Sequence, residues 1–426
     1  MRITSSKTNR RSGSVLAVTL LTTLIIGIAL TGYIVLVANN NQSGMRSGAW
    51  NAAIPVAEAG LEEALAHLNR NFPTNIFSAG WELDGTNLVR TRSLGVDSYT
   101  VRFSAATNSI VECSGSVLLP WNGTHVTRTI RLQTRWTGVV LKAFAAKEDI
   151  KLNGYNIRSD SFDSRDTNYS TLTGGYDPAK AKDGGDIATN SSLDGGLNAG
   201  NAKVYGKLST GPDGSVNTGP NLSVGNTAWH DAGNTGIQPG WVNDDSNVLM
   251  PDLSRPFNGG AFFPGGGNID GTNYNHILGS DNYQVVNFGG RVLVTGQAVL
   301  LVTKRVLFTG NDFIRIAPGG SLRLYVEASA ANIGGNGVIN ETGNAANFSY
   351  YGLPSNTSLS ISGNGELIGV IYAPSAKVDL NGGGNFYGAI SCKTASMNGG
   401  FSFHFDEALA DSVPLRRFNI LSWDEI

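Results

Sequence analysis

Ile361–Val378 reads ISGNGELIGVIYAPSAKV, and Leu380–Met397 reads LNGGGNFYGAISCKTASM. Laid over each other at an offset of 19, Ile361 falls on Leu380, Gly363 on Gly382, Gly369 on Gly388 and Ile371 on Ile390. Met397–His404 (MNGGFSFH) repeats Leu380–Tyr387 at an offset of 17. Short apolar runs between glycines, recurring about every 18–20 residues, describe coils of a parallel β-solenoid, and each coil buries its apolar side only by stacking on the next. Ile361, Leu367, Ile371, Leu380, Phe386 and Ile390 are then one core, with matched residues about 4.8 Å apart. Gly363, Gly369, Gly382 and Gly388 belong at corners where a Cβ would clash. Fainter copies are Leu152–Asp163 (LNGYNIRSDSFD) and Leu197–Leu208 (LNAGNAKVYGKL). The solenoid, expected to be right-handed, is placed over 138–410. The Asn-, Gly-, Asp- and Pro-rich 211–283 is expected as a loop thrown out from its side, and 411–426 as a C-terminal tail.

Ahead of this lies a different texture. Ser14–Ala38 (SVLAVTLLTTLIIGIALTGYIVLVA) carries no charge; as a helix it spans roughly 37 Å, enough for a bilayer core. Its Leu, Ile and Val residues favour insertion by about 4–8 kcal/mol. Arg2, Lys7, Arg10 and Arg11 precede it and only Arg46 follows before Glu58, which puts the basic leader 1–13 in the cytoplasm and the rest on the far side. A cleavable signal fits less well, since its apolar core would be only about 7–15 residues. Over 39–73 the helix continues: Trp50, Ile54, Ala57, Leu61, Ala64 and Leu68 form a stripe at helical spacing, with Pro55 expected to kink the rod and Asn69–Pro73 to stop it. Within 74–137, Ser98–Ala105, Ser109–Leu119 and Val126–Trp136 alternate polar and apolar residues. They read as antiparallel strands laid on the stripe, with turns at Thr107–Asn108 and Trp121–Gly123. The fold class is therefore mostly β with a long N-terminal helix.

The leader ending Arg10-Arg11-Ser12-Gly13, the apolar helix and Ala57-Glu58-Ala59-Gly60-Leu61-Glu62-Glu63-Ala64-Leu65 resemble the N-terminal region of PilX-type minor type IV pilins. Thr127-Arg128-Thr129-Ile130-Arg131 resembles the end of that family's head sheet. The resemblance implies a prepilin peptidase cut between Gly13 and Ser14, and packing against other pilin-like subunits through the helix. Major pilins carry a Glu five residues after the cut; Val18 stands there. Leu324-Tyr325-Val326, Tyr350-Tyr351-Gly352-Leu353-Pro354, Ile371-Tyr372-Ala373-Pro374 and Phe403-His404-Phe405-Asp406-Glu407-Ala408-Leu409 resemble an uncharacterised domain often appended to PilX-type anchors, and no activity comes with it.

Composition narrows the chemistry. Of 426 residues 15% are charged, the net charge is −2, and 55 are Gly. There is no basic field for nucleic acid, and the glycines lack collagen's period. Cys113 and Cys392 are too few for a disulfide scaffold or zinc site. Asp160, Asp163, Arg165 and Asp166 make the densest carboxylate cluster, the kind that β-helix lyases and glycosidases use, although acids also favour loop corners. Asp213 and Asp270 are weaker calcium candidates, because Gly265–Asp270 has Asn268 where the repeat motif needs Gly. The five histidines are isolated, His404 reading as a packed cap residue. No G-x-S-x-G, Walker or dinucleotide motif is present, so no cofactor, metal or catalytic residue is assigned. Asn122, Asn190 and Asn356 sit in sequons that an Asn-rich chain produces by chance.

These readings converge on a single-pass membrane protein, pilin-like and structural rather than enzymatic, displaying a β-solenoid at the cell surface in pilus biogenesis or a related filament. A surface adhesin is the alternative, with Trp229, Trp241 and Tyr274 as stacking aromatics for surface glycans. An anchored polysaccharide-cleaving β-helix enzyme ranks below it.

Overall fold

The structure, a computed structural model, describes residues 12–71, 76–104, 110–138, 142–363, 365–412 and 416–426. It divides into two units, Met1–Trp136 with Arg417–Ile426, and Thr137–Arg416. Arg2, Lys7, Arg10 and Arg11 lie outside the described residues, as do Pro73 at the expected helix stop and the turn at Thr107–Asn108.

The first unit is a helix on a sheet. One helix runs Ser12–Asn71, with Pro55 inside it. Residues 15–48 are exposed throughout, and the apolar part of this stretch, 15–38, is long enough to cross a membrane. The remainder packs on the sheet, but through a stripe one residue away from the expected one at its start. Ala49, Ala53, Ala57, Leu61, Ala64 and Leu68 are buried, whereas Trp50 is 48% exposed under the Arg128 guanidinium, 4.8 Å from its ring centre. Close approach is the reason. A Cβ on Gly115 would stand 2.3 Å from the Ala53 carbonyl, and one on Gly60 would stand 2.6 Å from Cys113 Sγ. Only small residues let a helix lie that near a strand, so alanines face the sheet and the indole turns outward. The sheet order is Glu82–Asp84, Asn87–Leu94, Asp97–Ser104, Ile110–Leu118, His125–Gly138 and Arg416–Glu425. The first five pair antiparallel in sequence order. Leu119 and Thr124 close the turn at Trp121–Gly123, where Gly123 takes φ +68. The 411–426 tail is corrected here. It supplies a short helix, Leu409–Ser412, and then the sixth strand, whose Phe418 is buried edge-on to Phe103 at 5.2 Å.

The second unit is a parallel solenoid of three ladders. The first ladder steps through Asn282–Phe288, Gln297–Phe308, Ser321–Val326, Phe348–Gly352 and 370–372, and continues through 390–392, Phe144–Ala146, Ile187–Thr189, Leu208–Ser209 and Val242–Asn243. A second takes the ends of the two long strands, 287–288 and 306–308, then Ala330–Ile333, Ser358–Gly363 and 377–382, and then 395–397, Ile150–Leu152, Leu197–Gly200 and Val216–Thr218. The third holds His276–Leu278, Arg291–Val294, Phe313–Ile316 and Val338–Asn340, and farther along 402–406, Arg158–Phe162, Lys203–Tyr205, Ser223–Gly225 and Gly236–Ile237. Leu367–Asp406 stays extended around the coils where the repeat was legible. Ile361 pairs with Leu380 and Gly363 with Gly382, as the offset of 19 requires. All six expected core residues lie in one buried cluster.

The spatial order of coils departs from chain order. The chain enters at Ala143 in the middle of the stack and coils outward to Val242–Asn243. Residues 244–265 then run back along the first ladder, and coiling resumes at His276 at the far end. From there it returns until 390–406 closes on 144–162. The returning strap is fixed at several points: Asn190 exchanges hydrogen bonds with Val248 (2.8 and 2.7 Å), the Tyr372 hydroxyl donates to the Pro251 carbonyl (2.7 Å), Arg255 ion-pairs with Glu327, and Phe262 bridges to Tyr283. Met250 is buried with Ala145, Tyr351, Val370 and Tyr372, which point away from the main core. Buried on both sides, this ladder reads as unbroken apolar runs rather than alternation. The 211–283 excursion is corrected accordingly: Val216–Thr218, Ser223–Gly225, Gly236–Ile237 and Val242–Asn243 are ladder strands. Their brevity hid them, since two- and three-residue strands leave no period in the sequence.

Gly388, at φ +140, would place a Cβ 1.8 Å from the Gly369 carbonyl. Gly388→Val should destabilise the solenoid by about 3 kcal/mol or more, and Gly115→Val should do the same to the helix-on-sheet unit. Hydrogen exchange of each unit's core amides is the measurement, and each variant should loosen its own unit only.

Candidate functional site

Buried polar chemistry concentrates where the two halves of the solenoid meet. In 402–406 Phe403 points into the core, stacked on Phe144 at 5.6 Å, so His404 points the other way. Across the ladder it meets Asp160, its paired residue. Asp160 is fully buried and accepts three hydrogen bonds: His404 Nδ1 at 2.6 Å, the Tyr176 hydroxyl at 2.7 Å and Arg158 Nε at 2.8 Å. Burying a carboxylate without partners would cost several kcal/mol, and three donors, two on basic side chains, offset that. Tyr176 comes from the 163–186 loop and lies over the imidazole at 3.8 Å. Burial first, then the Asp160 carboxylate, raises the Tyr176 phenol well above its ordinary value.

On its other side His404 Nε2 lies 3.3 Å from Asn385 Oδ1, and Tyr387 stacks at 4.9 Å. The Tyr387 hydroxyl reaches Glu366 at 3.5 Å; burial and that carboxylate push it up to about 12. Asn385 and Glu366 line a cleft of about 280 Å³ with Asn336, Ser362, Ile361, Leu380, Phe386 and Phe401, edged by Gly335, Gly337, Gly363 and Gly365. The aromatic line continues on the neighbouring coils, with Arg158 over Tyr205 at 4.4 Å and Tyr205 stacked on His230 at 3.9 Å.

An Asp–His pair is half of a nucleophile-activating relay. Here Asp160 takes one ring nitrogen, Asn385 faces the other, and two tyrosines cover the ring, so an amide rather than a hydroxyl or thiol of the described residues stands at Nε2. The arrangement orients an amide at a cleft wall. His404, expected as a cap residue, is instead in mid-stack, because the coil of 144–162 covers it. Of the sequence's carboxylate cluster only Asp160 belongs to the network. Asp163 pairs with Arg165 at 2.8 Å, which holds it below the usual carboxylate range, and Asp166 accepts from the Asn168 amides. Asp406, raised by burial, accepts from the Ser164 and Ala408 backbone. Asp213 and Asp270 occupy turn positions at φ 62 and 51. Among the described residues no three His, Cys, Asp or Glu side chains are placed to hold a metal ion. Both cysteines are free and buried, and Asn356 is buried against Tyr350 and the Ala328 carbonyl, out of reach of a sugar.

The three expected stacking aromatics do not meet. Trp229, on the short helix Thr227–Asp231, packs on Gly225, and Trp241 packs on the core at that end of the stack. Tyr274 belongs to the hairpin leading into His276 at the opposite end, buried edge-on to Phe313 at 6.1 Å. Sequence reasoning missed Tyr176, Glu366, Asn385 and Tyr387. The offset of 17 held part of the signal, since it lays His404 over Tyr387.

Residues 287–412 match the model of a family described as a domain of unknown function (DUF7305). No curated protein matches the chain. Among solved structures it is similar to the competence-associated pilin ComZ from Thermus thermophilus, at 11% identity over 89% of this chain and 97% of that one, with a TM-score of 0.27. At that score the likeness supports no argument about fold or role.

His230 and His276 both titrate below the ordinary histidine value, burial being the main cause. The unfolded chain therefore binds protons more readily around pH ~6.5. The stability these two contribute is complete above that value and is lost as pH falls toward their native pKa values. Melting of the solenoid between pH 7.5 and 5 should show a declining midpoint, and His230→Gln with His276→Gln should flatten the decline.

Proposed function

We propose that the chain is a membrane-anchored, pilin-like structural subunit that holds its solenoid on the far side of the membrane. One observation carries the reading: a single helix, Ser12–Asn71, is bare over 15–48 and apolar as far as Ala38, yet packed on an antiparallel sheet from Ala49 onward. An apolar helix face bare in water is unstable, and its surroundings must be lipid or the helices of other subunits. The rank of small residues between helix and sheet fits a rod that enters such a bundle without losing its head. The leader's likeness to PilX-type pilins adds processing after Gly13, and the absence of an acid at Val18 adds a restriction. In major pilins that Glu is thought to pair with a neighbour's terminal amine. A subunit without it suits the end of a filament or its initiation, at low abundance.

The test is the intact mass of membrane-extracted protein, with Gly13→Trp beside it as a block. Wild type should begin at Ser14 and co-purify with other pilin-like subunits, while the variant stays uncut. An uncut wild-type chain, found alone, would replace the filament subunit by a plain anchored protein.

A further inference from the structure

The cleft beside Asn385 is more polar, and more carefully supported, than a solenoid corner requires. Phe386, Phe401 and several aliphatic side chains make its apolar floor, Asn336 and Asn385 contribute amides, Ser362 a hydroxyl, and Glu366 is the one charged side chain among the described residues that line it. Gly365 adds no side chain, and apart from its chain neighbours no described residue lies within 4 Å of where its Cβ would stand. Asn385 is held from behind by His404, and His404 by an Asp160 carboxylate with three donors. A buried charged network is weak support for a fold taken alone; this one terminates on an amide in the cleft wall.

Ligand classes can be weighed against that lining. An anion would face Glu366 with no cation among the described residues of the lining. An aliphatic group would leave the amides and the carboxylate without partners. An organic cation would satisfy Glu366 and leave two amides unused. A neutral sugar ring satisfies all of them, its C–H face on the apolar floor and its hydroxyls shared among the carboxylate and the amides. A volume of about 280 Å³ lies at the low end for small-molecule sites, which suits one ring rather than a chain.

We propose that this cleft binds a single neutral hexopyranose residue, with Glu366 and Asn385 reading its hydroxyls and the apolar floor taking its C–H face. The site lies wholly within the solenoid and does not depend on how the helix is anchored or processed.

The experiment is a ligand-observed saturation-transfer NMR titration of the full chain in a detergent without a sugar headgroup. The probes are methyl glucoside, methyl galactoside, methyl mannoside, the methyl glycoside of glucuronic acid, and choline. At least one neutral hexoside should bind. Glu366→Gln and Asn385→Ala should each weaken it by about tenfold, the loss of one good hydrogen bond. Gly365→Leu, with open space for its side chain, should abolish binding with the melting midpoint unchanged, which separates occlusion from misfolding. Trp229→Ala should bind as wild type does. No binding by any neutral hexoside would overturn the proposal. So would binding unaffected by Gly365→Leu, tighter binding of the glucuronide than of its neutral counterpart, or choline binding in place of the sugars.

Discussion

A solenoid coil has two apolar edges, and both must be covered. In this protein the coil the chain makes first, 144–162, takes its cover from two parts of the sequence distant from each other. One edge is met by 187–205, the next coil in sequence, and the other by 390–406, almost the whole domain away. Everything else about the solenoid follows from that closure. The chain must reach the far end before it can coil back, hence the strap of 244–265. Chain entry and exit also come together, Ala143 and Leu409 lying in one buried cluster. Repeat proteins ordinarily propagate from nearest neighbours, but here the central interface is non-local, and such contacts pay loop-closure entropy before they return any stability.

That topology explains what the sequence revealed and what it hid. Coils adjacent in both chain and space, such as 361–378 and 380–397, keep matching apolar residues and glycines, because each stacks on its copy. The junction has no such echo: Phe144 pairs with Ile390, and Asp160 with His404, as partners of different kinds. The 211–283 stretch looked unstructured because its ladder strands are two or three residues long and its strap is held by scattered single contacts, among them Asn190 with Val248, Tyr372 with Pro251 and Arg255 with Glu327. The helix stripe was legible in period but not in phase at its start, since Gly115 and Gly60 favour alanines over Trp50 at the sheet. The final strand, Arg416–Glu425, was unreadable as such because its partners lie near residue 128.

The same closure creates the site. Asp160 arrives with the first coil, His404 with the last, Tyr176 from the loop that follows Phe162, and Asn385 from the coil before. No segment holds more than a part, which is why the sequence exposed only Asp160 among its acids. Buried polar groups brought together this way are satisfied only in the closed solenoid, so the network favours this one register over slipped alternatives.

Closure of the first coil by the last is the claim on which fold and site both stand. Lys151 and Ser396 are ladder partners with outward side chains. A Lys151→Cys, Ser396→Cys chain, oxidised mildly and mapped by peptide mass spectrometry, tests it directly. Efficient formation of the 151–396 disulfide, with melting no lower than in the reduced chain, is the result expected of adjacent strands. Failure of that pair to join, while Lys151→Cys still joins a cysteine placed at its other neighbour Asn198, would contradict the closed order and return the coils to their order along the chain.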